Sequence, residues 1–224
     1  MLLSKDKKII IYLFLLILLG SINNKYFIDT KFFIIKNLKL AGLSGLEKLD
    51  VLLQLDQIKD KNIFYLPKKE IITVLNSNNL IESFKVNKNY PSDINIVIKK
   101  TIFLATIKIH NENFLIGSNK KLIKSEIDYP NLPLVLGSPS LEDFFLINEK
   151  ISKSSIKFNE IKKLYFFPSK RWDLELNSGI LIKLPISSSI NSLNDFYKIK
   201  NLPHFKNVKI FDMRVNKQII VNEL

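Results

Sequence analysis

The amino-acid sequence predicts an α+β protein carried behind a single N-terminal transmembrane helix, and three observations predict it. An apolar run from Ile9 to Leu19 follows Lys5, Lys7 and Lys8; residues 32–100 read as short elements in the order β-α-α-β-β; and residues 101–224 read mainly as strands, mostly antiparallel, interrupted by two helices. With 224 residues, 46% of them hydrophobic, the chain can form two modest domains that each bury a core.

The apolar run continues through Gly20 and Ser21 to Ile22 and is closed by Asn23, Asn24 and Lys25. It is a membrane-targeting segment, and its length is compatible with a signal-peptide core or with an anchor, because about 20 residues are needed to span the hydrocarbon. Two features favour a retained anchor over a cleaved signal peptide. Nothing after Leu19 offers a small-x-small cleavage pattern, and Tyr26 and Phe27 suit the far interface. The anchor is therefore expected over residues 9–27. The positive-inside bias leaves residues 1–8 as a cytoplasmic tail and the remainder outside.

Within residues 32–100, an extended stretch Phe33–Leu40 stops at Gly42, and Leu46, Leu49, Leu52 and Leu53 recur at helical spacing on one face of a helix over Leu46–Leu55. Pro67 suits the first turn of a second helix whose stripe is Ile71, Val74 and Leu75. The segment Ile81–Tyr90 precedes a Pro91-Ser92-Asp93 turn. Beyond it, Ile94, Ile96 and Ile98 alternate with Asn95, Val97 and Lys99, the period of a half-buried strand.

The rest reads as strands at Phe103–His110, Asn113–Gly117, Ile156–Phe166, Trp172–Leu176, Ile180–Leu184, Val208–Val215 and Gln218–Asn222. One helix starts near Ser138-Pro139, with Leu141, Phe144 and Phe145 inward. A second starts near Ser188 or Ser189, with Ile190, Leu193, Phe196 and Tyr197 on one side. Residues 172–184 form a hairpin: Trp172, Leu174 and Leu176 share a face, Asn177-Ser178-Gly179 is the turn, and Ile180, Ile182 and Leu184 share the returning face. Trp172 is the expected structural anchor of this hairpin.

The net charge of +13 raises nucleic acid or an anionic surface as partners. The lysines, however, come as scattered pairs such as Lys120-Lys121 and Lys162-Lys163, without a nucleic-acid-binding module, so no nucleic acid is expected. The absence of cysteine excludes disulfides, thiolate catalysis and thiolate metal ligands. His110, alternating with Lys108 in a strand, and His204, between Pro203 and Phe205, lack the partners a metal needs. Glu142 and Asp143 suit the first turn of a helix, and Asp173 and Glu175 read as solvated charges on a strand's outer face. With no phosphate loop, nucleophile elbow or zinc-protease motif, the sequence predicts no catalytic residues, no metal and no cofactor, and a protein that is not an enzyme.

Longer motifs carry a family resemblance. Residues 32–100, with an Ile-x-x-Leu-x-Leu-x-Gly-Leu start, Asn62-Ile63-Phe64 in the middle and Asn89-Tyr90-Pro91-Ser92-Asp93-Ile94-Asn95-Ile96-Val97-Ile98 at the end, resemble a POTRA domain, an extracytoplasmic protein-binding module. Arg171-Trp172-Asp173 through Gly179 to Leu184-Pro185, the Leu132-Pro133 to Gly137 segment, and Phe211-Asp212-Met213-Arg214 followed by Gln218-Ile219-Ile220-Val221 resemble the β domain of the FtsQ/DivIB family. The sequence departs from the family at Lys99-Lys100-Thr101-Ile102, where an acidic-basic pair and a proline are usual.

The resemblance implies a POTRA domain over 32–100 and an FtsQ-like β domain over 101–224. It also implies a single-pass protein of the bacterial inner membrane, at the division septum, with its C-terminus periplasmic. Such a divisome scaffold would bind FtsB and FtsL, alongside other division proteins, and help recruit and control septal peptidoglycan synthesis. A strand at the end of a sheet can accept a partner strand, and by resemblance the FtsB-binding residues are Arg214, Gln218, Ile219, Ile220 and Val221, with Lys170 and Arg171 as neighbouring basic contacts. The competing reading is a POTRA-type periplasmic module of secretion or outer-membrane assembly, which would need several such units or a following barrel.

Overall fold

The computed structural model describes residues 5–22, 33–187, 190–215 and 218–222. Expectations that fall on Tyr26, Phe27, Phe32, Ser188 and Ser189 lie outside these residues. The chain divides into two compact units, Met1–Lys100 and Thr101–Leu224.

The first unit opens with helix α1, Lys5–Ile22, whose apolar residues Ile9–Leu19 are solvent-facing. Among the described residues no helix is long and apolar enough to cross a membrane. The 18 residues of α1 include Lys5, Asp6, Lys7 and Lys8, so α1 falls short of the transmembrane helix expected over 9–27, the last part of which lies beyond the described helix.

A three-stranded sheet follows, built from β1 (Asn37–Ala41), β2 (Ile81–Asn89) and β3 (Asp93–Lys100) in the order β1-β3-β2, with β1 parallel and β2 antiparallel to β3. Helices α2 (Gly45–Leu55) and α3 (Lys68–Ser77) complete the β-α-α-β-β order. The alternation of β3 buries Ile94, Ile96 and Ile98 against Ile71 and Leu75 of α3 and Val51 and Leu55 of α2. Gly42 has φ +97, and a Cβ there would land on the Ile98 carbonyl oxygen, so only glycine lets the chain turn so close to β3.

The predicted stripe of α2 is corrected. Leu46, Leu49 and Leu53 are 83%, 52% and 66% exposed, whereas Val51 and Leu55 carry the helix onto the sheet and Leu52 is half-buried. The helix is apolar around most of its circumference, so leucine spacing alone did not specify which side would face the core.

The second unit is one nine-stranded mixed sheet. Its strands are β4 (Phe103–Ile109), β5 (Glu112–Gly117), β6 (Leu122–Lys124), β7 (Leu134–Leu136), β8 (Ile161–Phe166), β9 (Trp172–Leu176), β10 (Leu181–Lys183), β11 (Ile210–Asp212) and β12 (Ile220–Asn222). The spatial order is β12-β11-β10-β9-β8-β7-β4-β5-β6. Neighbours are mainly antiparallel, as expected, but β4 with β7, β7 with β8 and β10 with β11 are parallel. Two of these parallel pairs, β7–β8 and β10–β11, have helices in their connections: α4 (Leu141–Ser152) and α5 (Ile190–Lys200).

Both helices press onto the same core as Leu164, Leu174, Ile182 and Phe211, through Phe144 and Ile147 of α4 and Leu193 and Phe196 of α5. Ser140 caps α4 in a capping box with Asp143: its hydroxyl accepts from the Asp143 amide, and the Asp143 carboxylate accepts from the Ser140 amide. The hydroxyl hydrogen bond from Ser140 holds the Asp143 carboxyl below its ordinary pKa.

Several boundaries differ from the sequence reading. Residues 158–160 form a 3₁₀ turn, so β8 starts at Ile161 and not at Ile156. His110 leaves the strand: with Asn111 it takes positive φ (49° and 65°) in the two-residue turn joining β4 to β5. The short strands β6 and β7 were not anticipated, three residues being too few to show a period.

Candidate partner-binding site

Strand β12 is the last strand of the sheet order, hydrogen-bonded to β11 alone among the described strands. The pairing is antiparallel, with Phe211 opposite Val221 and Asp212 opposite Ile220, and the Lys209 amide donates to the Asn222 carbonyl at 3.2 Å. The two-residue alternation then sorts the predicted binding residues. Ile219 and Val221 pack against the core, while Ile220 is 56% exposed and Gln218 is exposed. Gln218 and Ile219 also line a groove of about 310 Å³ beside Asp195, Lys198 and Ile199 of α5.

Ile220 ends a row that crosses the open face of the sheet. Register places Tyr165, Asp173, Lys183, Asp212 and Ile220 opposite one another on β8 to β12. On the other face the same strands align Leu164, Leu174, Ile182, Phe211 and Val221 in the core. The open-face row is thus polar in the middle and apolar at the free edge.

Asp173 is corrected from a solvated charge to a buried one: the residue is 4% exposed, and Arg171 Nε donates to its Oδ1 at 3.2 Å. Burial pushes its carboxyl above the ordinary range, and the nearby Arg171, Lys183 and Arg214 only partly oppose that. Asp212 behaves oppositely. Its carboxylate accepts from Arg214 Nε at 2.8 and 3.0 Å and from the Arg214 amide at 3.1 Å, and these bonds hold it below the ordinary range. Glu175 accepts from the Tyr165 hydroxyl at 2.6 Å and lies near Lys163, which lowers its pKa, while burial foremost raises that of Tyr165.

The basic residues expected at the site are placed unequally. Arg214 is exposed, whereas Arg171 is half-buried, with its guanidinium 4.1 Å from the centre of the Phe167 ring. Both line one groove of about 510 Å³ with Ser169, Pro185, Ile186 and Ser187. Lys170 is exposed at positive φ (60°) in the turn between β8 and β9, where its amide donates to the Phe167 carbonyl. Trp172 is 4% exposed and packs in the core, its ring centre 4.8 Å from that of Phe166.

Sequence reasoning missed Lys183, which stands opposite both Asp173 and Asp212. The signal available was its position between the inward Ile182 and Leu184 in the hairpin. Among the described residues no group of three or more His, Asp or Glu could hold a metal ion.

Residues 33–100 match the model of the FtsQ-type POTRA domain. The chain is 30% identical over 190 residues to the cell division protein FtsQ of Rickettsia bellii, an alignment covering 81% of this chain and 69% of that protein. It is 26% identical over 199 residues to FtsQ of Rickettsia conorii, covering 85% and 73%. With the cell division protein DivIB of Clostridium botulinum it shares 26% identity over 149 residues, covering 66% and 55%.

Proposed function

Because the chain belongs to the FtsQ/DivIB family of cell division proteins, we propose that it is a single-pass inner-membrane scaffold of the division septum that captures FtsB, together with FtsL, on the free edge of β12. The observation that carries this reading is the edge itself: among the described strands β12 pairs with β11 alone, and Ile220, its first residue, points outward. An unpaired edge offers backbone donors and acceptors to an incoming strand, and side chains on alternate positions supply specificity. Ile219 and Val221 hold the strand to the core while Gln218 and Ile220 meet the partner, and Arg214 offers a cation beside it.

Residues 9–27 act as the anchor, with residues 1–8 cytoplasmic and both folded units outside. The work is recruitment and control of septal peptidoglycan synthesis by protein binding, not catalysis. The domains divide it: residues 32–100 as the POTRA domain and 101–224 as the partner-binding β domain. Co-purification of FtsB with the full chain and with Ile220→Pro tests the interface. Proline removes a ladder donor at an exposed position, so the fold is expected to persist and capture to be lost. Undiminished capture by a folded Ile220→Pro protein would place the interface elsewhere.

A further inference from the structure

One end of the first unit displays a cluster of aromatic rings to solvent. Phe64, Tyr65 and Tyr90 are 49%, 56% and 56% exposed. The rings of Phe33 and Phe64 meet edge to face at 4.9 Å, and Phe64 stacks on Tyr90 at 4.6 Å. Soluble surfaces rarely gather such rings without a partner for them.

The cluster is held on a fixed frame. The Ile63 amide donates to the Phe33 carbonyl at 2.9 Å, the Ile35 amide to the Lys61 carbonyl at 3.0 Å and the Lys36 amide to the Ser92 carbonyl at 2.9 Å. The Phe64 amide donates to Asn62 Oδ1, and Lys88 Nζ donates to the Ile63 and Leu66 carbonyls at 2.7 and 2.6 Å. Burial, and then Lys68, lower the Lys88 pKa.

The aromatic end is also the end at which the chain enters the unit. β1 and β3 both run away from it, Asn37 being paired with Asp93, and β3 finishes at Lys100 at the opposite end. Phe33 itself belongs to the cluster. Whatever its path, the chain from Phe27, the last residue of the expected anchor, to Phe33 can span at most about 22 Å.

We propose that this end of the unit is seated in the bilayer interface, with Phe64, Tyr65 and Tyr90 entering the headgroup layer; the proposal rests on the reading of residues 9–27 as an anchor. Aromatic rings favour that layer, where one edge stays wet and the other meets acyl chains. On the adjoining stretch Lys61 and Glu70 pair with each other at 2.9 Å, which leaves the exposed Lys68 and Lys69 against Asp60. That balance suits anionic headgroups. The seat would fix the tilt of the unit against the membrane and aim its far end, at Lys100, away from it.

The chain has no cysteine, so single cysteines report cleanly. Tyr65→Cys, Leu46→Cys and Ile17→Cys, in the full chain, are labelled with an environment-sensitive fluorophore in vesicles of phosphatidylethanolamine and phosphatidylglycerol carrying headgroup-proximal nitroxide lipids. Position 46 lies at the start of α2, at the end opposite the cluster, and is strongly exposed. The expected result is blue-shifted, lipid-quenched emission at positions 17 and 65 and water-like emission at 46. Replacing Phe64 and Tyr90 together by Ser returns the label at 65 to water. Water-like emission at 65 with quenching at 17 overturns the seat and leaves the anchor standing; water-like emission at 17 overturns both. A blue shift at 65 without lipid quenching points to a protein contact, a second copy included, and quenching at 46 to a unit lying flat. Either overturns the end-on seat.

Discussion

Asp173 on β9 and Asp212 on β11 flank Lys183 of β10 on one row of the sheet, yet their carboxyls are displaced in opposite directions. Asp212 is held below the ordinary range by Arg214, so its contribution to stability is complete above the unfolded-state pKa and is lost as pH falls through the lower folded value. Asp173 is raised by burial, so its contribution is complete below the unfolded-state pKa and is lost as pH rises through the higher folded value. At pH 7 the ionised Asp173 is therefore a cost and the ionised Asp212 a gain. Asp173→Asn is expected to keep or raise the thermal midpoint at pH 7, with the advantage fading as pH falls through the raised folded value and gone below about 4. Asp212→Asn is expected to lower it at pH 7, with the deficit closing only below about 4, as pH falls towards the depressed folded value. Thermal melts across pH that moved both variants in the same direction would refute the assignment.

Trp172 fills the core where β9 meets β8, almost fully buried beside Phe166. Truncation to alanine removes the ring and leaves a cavity, which typically costs about 3–5 kcal/mol. Denaturant unfolding of Trp172→Ala should show that loss. An unchanged midpoint would mean that the hairpin does not depend on the ring.

The two leucine sets of α2 make a third contrast. Leu55→Ala, at a fully buried position, should cost about 2–5 kcal/mol. Leu49→Ser, at a half-exposed one, should fall within about 0.5 kcal/mol. Equal losses in denaturant titrations would contradict the observed facing of the helix.

What the sequence made legible was set by how periodic each segment is. β3 and β9 alternate strictly, and the faces read from Ile94, Ile96 and Ile98 and from Trp172, Leu174 and Leu176 are the buried ones. Gly179 in the hairpin turn has the positive φ its position required. α2 defeated the same method because leucines occupy both its sides. Asp173 was misread because alternation says which face a side chain takes but not how crowded that face is, and here Arg171 closes over it. Lys183, Asp173 and Asp212 come from three strands, and their meeting depends on the β10–β11 parallel pairing across α5, which no local pattern announces. The edge position of β12 is a property of the whole sheet order, which likewise no local pattern announces.

Arg171 and Arg214 open onto one groove but should not be equivalent in binding. Arg171 is half-buried, stacked on Phe167 and paired with Asp173, so its loss would disturb the turn and strand around it. Arg214 is aligned by the Asp212 carboxylate but keeps much of its guanidinium in solvent, available to a carboxylate on a strand added at β12. An oriented guanidinium is already arranged for a shared ion pair, and losing a charged hydrogen bond of that kind costs about 1.5–3 kcal/mol, on the order of tenfold or more in affinity. Arg214→Ala is therefore expected to weaken capture of the FtsB extracytoplasmic segment by about that factor. It should also flatten the salt dependence of binding while leaving core packing intact. Arg214→Lys should restore the charge but not the two-pronged bond to Asp212, and so rescue only part of the loss. Titration of the FtsB segment into the full chain, at low and at high salt, distinguishes the outcomes. If Arg214→Ala binds as the parent does while Ile220→Pro does not, the strand edge alone holds the partner and the arginine serves only Asp212.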